Sequence, residues 1–198
     1  MSIRRGFKAI IKVCAISFVF ALIISLYMGS REPYGTMDFY GTSREVSLEE
    51  LIEFAKEKDI SLHLPSELPR TLKLTAIYLK EGPFIAILVY SAEGNKDYKT
   101  AELTIEICYS GSQPTIDELE SQIWNTLHEC VMEINDWPVE INERAYSGGI
   151  TEFRNKYGDY TLLVDVYIDG YRYGINAPTL TKDDAIQLVG SMRVVHNF

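Results

Sequence analysis

Apolar and polar positions alternate along most of this chain, and the period changes in a few places. Ala101, Leu103, Ile105, Ile107 and Tyr109 alternate with Glu102, Thr104 and Glu106, which predicts a strand buried on one face. Leu72, Leu74, Ala76 and Tyr78 alternate with Lys73 and Thr75 in the same way. Phe84–Ala92 is almost wholly apolar, as a central strand covered on both faces would be. Pro138–Ile141, Ala145–Phe153, Tyr160–Ile168 and Tyr171–Ala177 complete a set of six to seven predicted strands. Asp169-Gly170 between the last two is a strong hairpin signal. Ser147-Gly-Gly149 predicts a bulge or sharp bend.

Three stretches carry helical spacing instead. Ser47 and Glu50 form a capping box ahead of Leu48, Leu51, Ile52 and Ala55, predicting a helix over 47–58. Thr115 and Glu118 repeat the box ahead of Leu119, Ile123, Trp124 and Leu127, predicting a helix that runs to Cys130. Thr181 caps a last helix, with Asp183 and Asp184 in its first turn, where the helix dipole favours negative charge. The prolines of His63-Leu-Pro-Ser-Glu-Leu-Pro69 impose an extended path. Connections of hairpin length dominate, so the sheet should be antiparallel. The expected class is α+β: a curved antiparallel sheet with helices packed on one face.

One stretch fits neither period. Ala9–Met28 is apolar on every side, with only Lys12 charged near its start. Twenty residues at 1.5 Å each cover about the 30 Å of a hydrocarbon core, and Lys12 can snorkel back to the headgroups. A signal peptide is the alternative. The anchor is favoured because Leu26, Tyr27 and Met28 do not form a small-x-small cleavage site and Tyr27 suits the far interface. Arg4, Arg5, Lys8 and Lys12 precede or open the run, and no acid appears before Glu32, so the positive-inside rule puts residues 1–8 in the cytoplasm. The expected organisation is a cytoplasmic basic tail at 1–8, a transmembrane helix at 9–28, a linker at 29–46 and an extracytoplasmic domain at 47–198.

Charge then excludes one class of partner. Four of the 19 basic residues and none of the 28 acidic ones lie in the first thirty, leaving 15 against 28, a net −13, beyond them. Such a surface repels phosphate backbones, so nucleic acid is not an expected partner. Cysteine is sparse: Cys14 lies in the apolar run, leaving Cys108 and Cys130 outside. An oxidising compartment permits one bridge between them. A helix of about fifteen residues would hold them about 22 Å apart, against the roughly 7 Å that a disulfide tolerates. A shorter helix or a chain that doubles back would bring them within reach.

The remaining chemistry reads bland. His63, His128 and His196 do not pair at ligand spacing, and adjacent His128, Glu129 and Cys130 would point about 100° apart on a helix, so no metal site is expected. No Gly-x-Ser-x-Gly elbow or glycine-rich phosphate loop is present. Glu49-Glu50, Asp117-Glu118 and Asp183-Asp184 sit in helix first turns, where capping explains them. No catalytic residue and no cofactor is expected. Asp165 stands out, interrupting an apolar strand on the side of Leu163 and Tyr167: it marks either a wet sheet face or a polar spot in a groove. Tyr157, Tyr160, Tyr167, Tyr171 and Tyr173 cluster late in the chain and suit core edges and binding grooves alike.

The stretches Leu64-Pro-Ser-Glu-Leu-Pro69, Val89-Tyr-Ser91, Tyr171-Arg-Tyr-Gly-Ile175, Leu180-Thr-Lys-Asp-Asp-Ala185 and Gly190-Ser-Met192 carry a likeness. Over about 64–193 the chain resembles a domain family of unknown function found outside the membrane in anchored bacterial and archaeal proteins. The resemblance implies a lipoprotein-carrier-like half-barrel, a curved antiparallel sheet, and no catalytic residues. Three roles remain open. One is a non-enzymatic domain that binds an apolar or peptide ligand, or docks a lipid or membrane-protein partner. The others are a structural or assembly component of the envelope, and an envelope hydrolase whose site is assembled from distant residues.

Overall fold

The computed structural model describes residues 42–122, 130–145, 157 and 160–195. The chain divides into two units, Met1–Gly41 and Thr42–Phe198. The apolar run Ala9–Met28 lies outside the described residues. Among the described residues no helix is long and apolar enough to cross a membrane.

The second unit is α+β and mostly β. Its described elements are β1 (Arg44–Glu45), α1 (Leu48–Glu57), β2 (His63–Pro65), β3 (Lys73–Glu81), β4 (Phe84–Ser91), β5 (Leu103–Tyr109), α2 (Ile116–Gln122), β6 (Cys130–Ile134), β7 (Trp137–Ala145), β8 (Tyr160–Ile168), β9 (Tyr171–Ala177), α3 (Lys182–Gly190) and β10 (Met192–Val194). Eight strands form one antiparallel sheet in the order β1-β3-β4-β5-β9-β8-β7-β6. β2 and β10 form a second antiparallel pair.

Period-two alternation decides which side of the sheet each residue serves. Leu103, Ile105 and Ile107 share one face with Ala86, Leu88, Val139, Ile141, Val164, Val166, Tyr173 and Ile175. These join Leu51 and Ala55 of α1 and Ala185, Leu188 and Val189 of α3 in a single buried core. Both helices are capped as predicted: Ser47 with Glu50, and Thr181 with Asp184, form reciprocal capping boxes. β4 is buried on both faces, as its unbroken apolar run predicts.

Three expectations need correction. The second helix ends its described part at Gln122, and Cys130 opens a strand rather than closing that helix. β7 is continuous from Trp137 to Ala145, where a strand ending at Ile141 was expected. The short strands β1, β2, β6 and β10 take the count beyond six to seven. The remainder of the predicted strand, residues 146–153, lies outside the described residues.

Cys108 and Cys130 are both free thiols. Cys108 pairs with Ile85 and Arg172, on the face away from the core, whereas Cys130 pairs with Ile141, on the core face. Their strands are separated by β9, β8 and β7. At about 4.8 Å per strand that is roughly 19 Å, far outside disulfide reach. The open orders of this sheet, rather than helix length, keep the two cysteines apart.

Candidate functional site

The face away from the core carries the polar half of each alternating strand. A groove of about 440 Å³ crosses it, lined by Ile87, Thr104, Glu106, Asn142, Leu163, Asp165, Arg172, Gly174 and Asn176, with Tyr98 and Lys99 at its wall. Ladder register builds the floor. Ile87 sits beside Glu106, Glu106 beside Gly174, Gly174 beside Asp165 and Asp165 beside Glu140, one residue from each of five adjacent strands.

Arg172 organises this row. Its Nη2 lies 2.6 Å from Glu106 Oε1, and its Nη1 lies 3.3 Å from Asp165 Oδ1. The residue two positions on is Gly174, on the same face. A Cβ there would come within 3.3 Å of Asp165 Oδ1 and 3.7 Å of Arg172 Cζ, so the missing side chain gives the guanidinium room to lie between the two acids. Burial opposes the arginine's charge, yet Asp165, Cys108 and Glu106 hold its pKa above the ordinary value. On the far side of Asp165, Asn142 Nδ2 donates to the Glu140 carboxylate.

Two aromatic or sulfur groups flank the charges. Tyr167 faces Arg172 across the β8–β9 ladder. Burial first, then the nearby charges of Asp165 and Glu140, push its phenol up to about 12. Cys108 faces Arg172 from β5. Burial raises its pKa, only partly offset by Arg172, so the thiol stays protonated at neutral pH and is not a poised nucleophile.

The wall of the groove is a folded loop. Between β4 and β5 the chain turns back over the sheet. Thr75 Oγ1 donates to the Asn95 carbonyl at 2.6 Å, and Tyr78 Oη donates to the Lys96 carbonyl at 3.1 Å. Within the loop, Asn95 Oδ1 accepts from Asp97 N at 2.9 Å, and Asp97 Oδ1 accepts from Lys99 N at 3.0 Å. Tyr98 packs edge-on against Tyr78 with ring centroids 6.2 Å apart. Tyr157 Oη donates to the Thr100 carbonyl of this loop at 3.3 Å.

The sequence-predicted candidates fall on different sides. Asp165 lies with Leu163 and Tyr167 on the open face, inside the groove. His63 lies on the core side, buried between Trp137 and Tyr173 with ring centroids 5.2 and 6.3 Å away. It is therefore remote from the groove's hydroxyls and carboxylates. Tyr171 packs on Phe84 and Tyr109 at a core edge. His128, His196, Ser147 and Thr151 lie outside the described residues. Among the described residues no three His, Cys, Asp or Glu side chains group as metal ligands. Arg172 was not singled out by its sequence; the hairpin signal at Asp169-Gly170 contained it, because that turn sets Ile168 opposite Tyr171 and hence Asp165 opposite Gly174.

No protein-family model, curated protein or solved structure matches this chain.

Proposed function

We propose that this is a single-pass membrane protein, tethered through Ala9–Met28 with its N-terminus in the cytoplasm, whose outer domain is a non-enzymatic binding module. Its ligand is an extended peptide segment lying across the open sheet face. The observation that carries the reading is the groove floor around Arg172. On the core side of the sheet, α1 and α3 pack their apolar residues against it. The groove on the other side mixes apolar Ile87 and Leu163 with Thr104, Asn142, Asn176 and the Glu106–Arg172–Asp165 charges. Mixed lining of this kind suits peptide main chain and polar side chains better than an acyl chain. The expectation accordingly narrows from an apolar or peptide ligand to a peptide. The likeness of the closing stretch to anchored extracytoplasmic domains supports the same placement.

The test is titration of the full chain in detergent micelles against a random-sequence peptide library and, separately, a fatty acid. The proposal expects peptide binding that Leu163→Arg weakens by about tenfold or more, since a cation would fill the groove. Preferential binding of the fatty acid, or peptide binding indifferent to Leu163→Arg, would overturn it.

A further inference from the structure

The two edges of the eight-stranded sheet are built differently. β1 is only two residues long and charged: Arg44 is bridged to Glu81 at 3.2 Å and Glu50 at 3.5 Å, and Lys96 to Glu45 at 2.5 Å. Short, charged edges of this kind resist pairing. β6 at the other edge is five residues long, and no ion pair guards it among the described residues. Cys130, Val131, Met132 and Ile134 are half-buried and Glu133 is its one charge.

The turn beside β6 decides which of its main-chain groups are available. Asn135 and Asp136 have φ of 55° and 63°, the signature of a two-residue type I′ turn. Such a turn makes Ile134–Trp137 a hydrogen-bonded pair, and with it Met132–Val139 and Cys130–Ile141. The N–H and C=O groups of Val131 and Glu133 then point away from β7. Among the described residues, none of these groups bonds to another main-chain group.

We infer that β6 pairs antiparallel with β6 of a second copy of this chain, centred on Met132. The spacing is self-complementary. With the two-fold axis at Met132, Val131 of one copy opposes Glu133 of the other, and the outward N–H and C=O groups meet in two hydrogen-bonded pairs. Met132 opposes Met132, and Cys130 opposes Ile134, so the core-side contacts are apolar throughout. The two Glu133 carboxylates are not directly opposed, which avoids the cost of a like-charge cross-strand pair. Pairing would extend the sheet across both copies and cover the half-buried side chains.

The register makes the idea testable by cross-linking the full chain in membranes, in a background of Cys14→Ser, Cys108→Ser and Cys130→Ser. Met132 lies at a non-hydrogen-bonded pair, with Cα atoms about 4.5 Å apart, within disulfide range. Met132→Cys should therefore form a disulfide-linked dimer under mild oxidation. Val131→Cys should not, because Val131 meets its own copy only diagonally, at about 7–8 Å. Glu133→Pro removes an outward N–H without touching the β6–β7 ladder, and should lower the Met132→Cys cross-link by about tenfold. Equal cross-linking at Val131→Cys and Met132→Cys, or none at Met132→Cys, would overturn the register and the pairing. The cysteine comparison stands by itself if Glu133→Pro fails to fold.

Discussion

The Tyr173 hydroxyl accepts the main-chain N–H of His63 at 3.1 Å, joining the large sheet to the two-stranded one. The same hydroxyl donates to the Ser61 carbonyl at 3.2 Å, so both of its hydrogen-bonding functions are used in a fully buried position. His63 packs edge-on against the Tyr173 ring, and Val195 N closes the strap by donating to the Leu62 carbonyl at 2.8 Å. One phenol thus fastens the β2–β10 pair over the core.

Removing that oxygen takes away the hydroxyl that the buried main-chain N–H of His63 donates to, while the Ser61 carbonyl keeps His63 Nδ1 at 3.0 Å. Tyr173→Phe should therefore cost about 1–3 kcal/mol in denaturant unfolding, although the ring volume is kept. A change near zero would show that water replaces the hydroxyl and that the strap is not held from β9.

Arg172→Met should cost roughly 1 kcal/mol or less in stability, because both ion pairs are partly exposed and screened by solvent. Its larger effect should be on binding, since Glu106 and Asp165 would then repel each other across Gly174. Comparing thermal unfolding with peptide titration separates the two. A stability loss matching the binding loss would mean that Arg172 serves only the fold.

Alkaline titration should single out Tyr167. Its pKa is raised from 10.0 to about 12, so folding favours the protonated phenol. That contribution is complete below pH about 10 and is lost as pH rises towards 12. The phenolate difference spectrum of wild type minus Tyr167→Phe should show one group titrating near 12. Asp165→Asn should lower it, because the nearby negative charge is gone. A Tyr167 midpoint at the ordinary value would remove the charged, half-buried setting assigned to this face.

Thr181→Ala should cost about 1 kcal/mol by uncapping α3. The Asp184 pKa is lowered, first by the main-chain N–H of Thr181 and then by its hydroxyl. A lowered carboxylate stabilises the fold above its ordinary value of 3.8, and the contribution fades as pH falls through the depressed value. Acid unfolding of Asp184→Asn should accordingly lose part of its slope below pH about 4, the range in which an ordinary aspartate titrates.

The faces of β5 and β8 were legible because period-two alternation is local, but that of β3 was read wrongly past Leu74: the register shift between Leu74 and Ala76 puts Ile77 and Leu79, not Ala76 and Tyr78, on the core side. Ala101, Leu103, Ile105 and Ile107 were read as core and are buried, whereas Tyr109, read with them, is exposed; Asp165 shares a side with Leu163 and Tyr167 as read. The capping box at Ser47 and the cap at Thr181 marked the starts of α1 and α3 for the same reason. The site was only half legible. A two-residue turn sets Asp165 beside Gly174, but nothing local says that β5 lies on the other side of β9, so the Glu106–Arg172 pair could not be read from spacing. β6 was hidden because Cys130-Val-Met-Glu-Ile134 is short and follows residues with helical spacing. The cysteine geometry depended on strand order, which is likewise set by distant pairings.

Placement of a ligand on the open face is tested most directly by photo-cross-linking in intact membranes. A benzophenone side chain replaces Leu163 in one form of the full chain, and exposed Glu53 of α1 in another. A peptide or protein adduct that appears at position 163, is absent at 53, and is lost on adding Arg172→Met is the predicted result. Equal adducts at both positions, or lipid adducts alone at 163, would contradict the account.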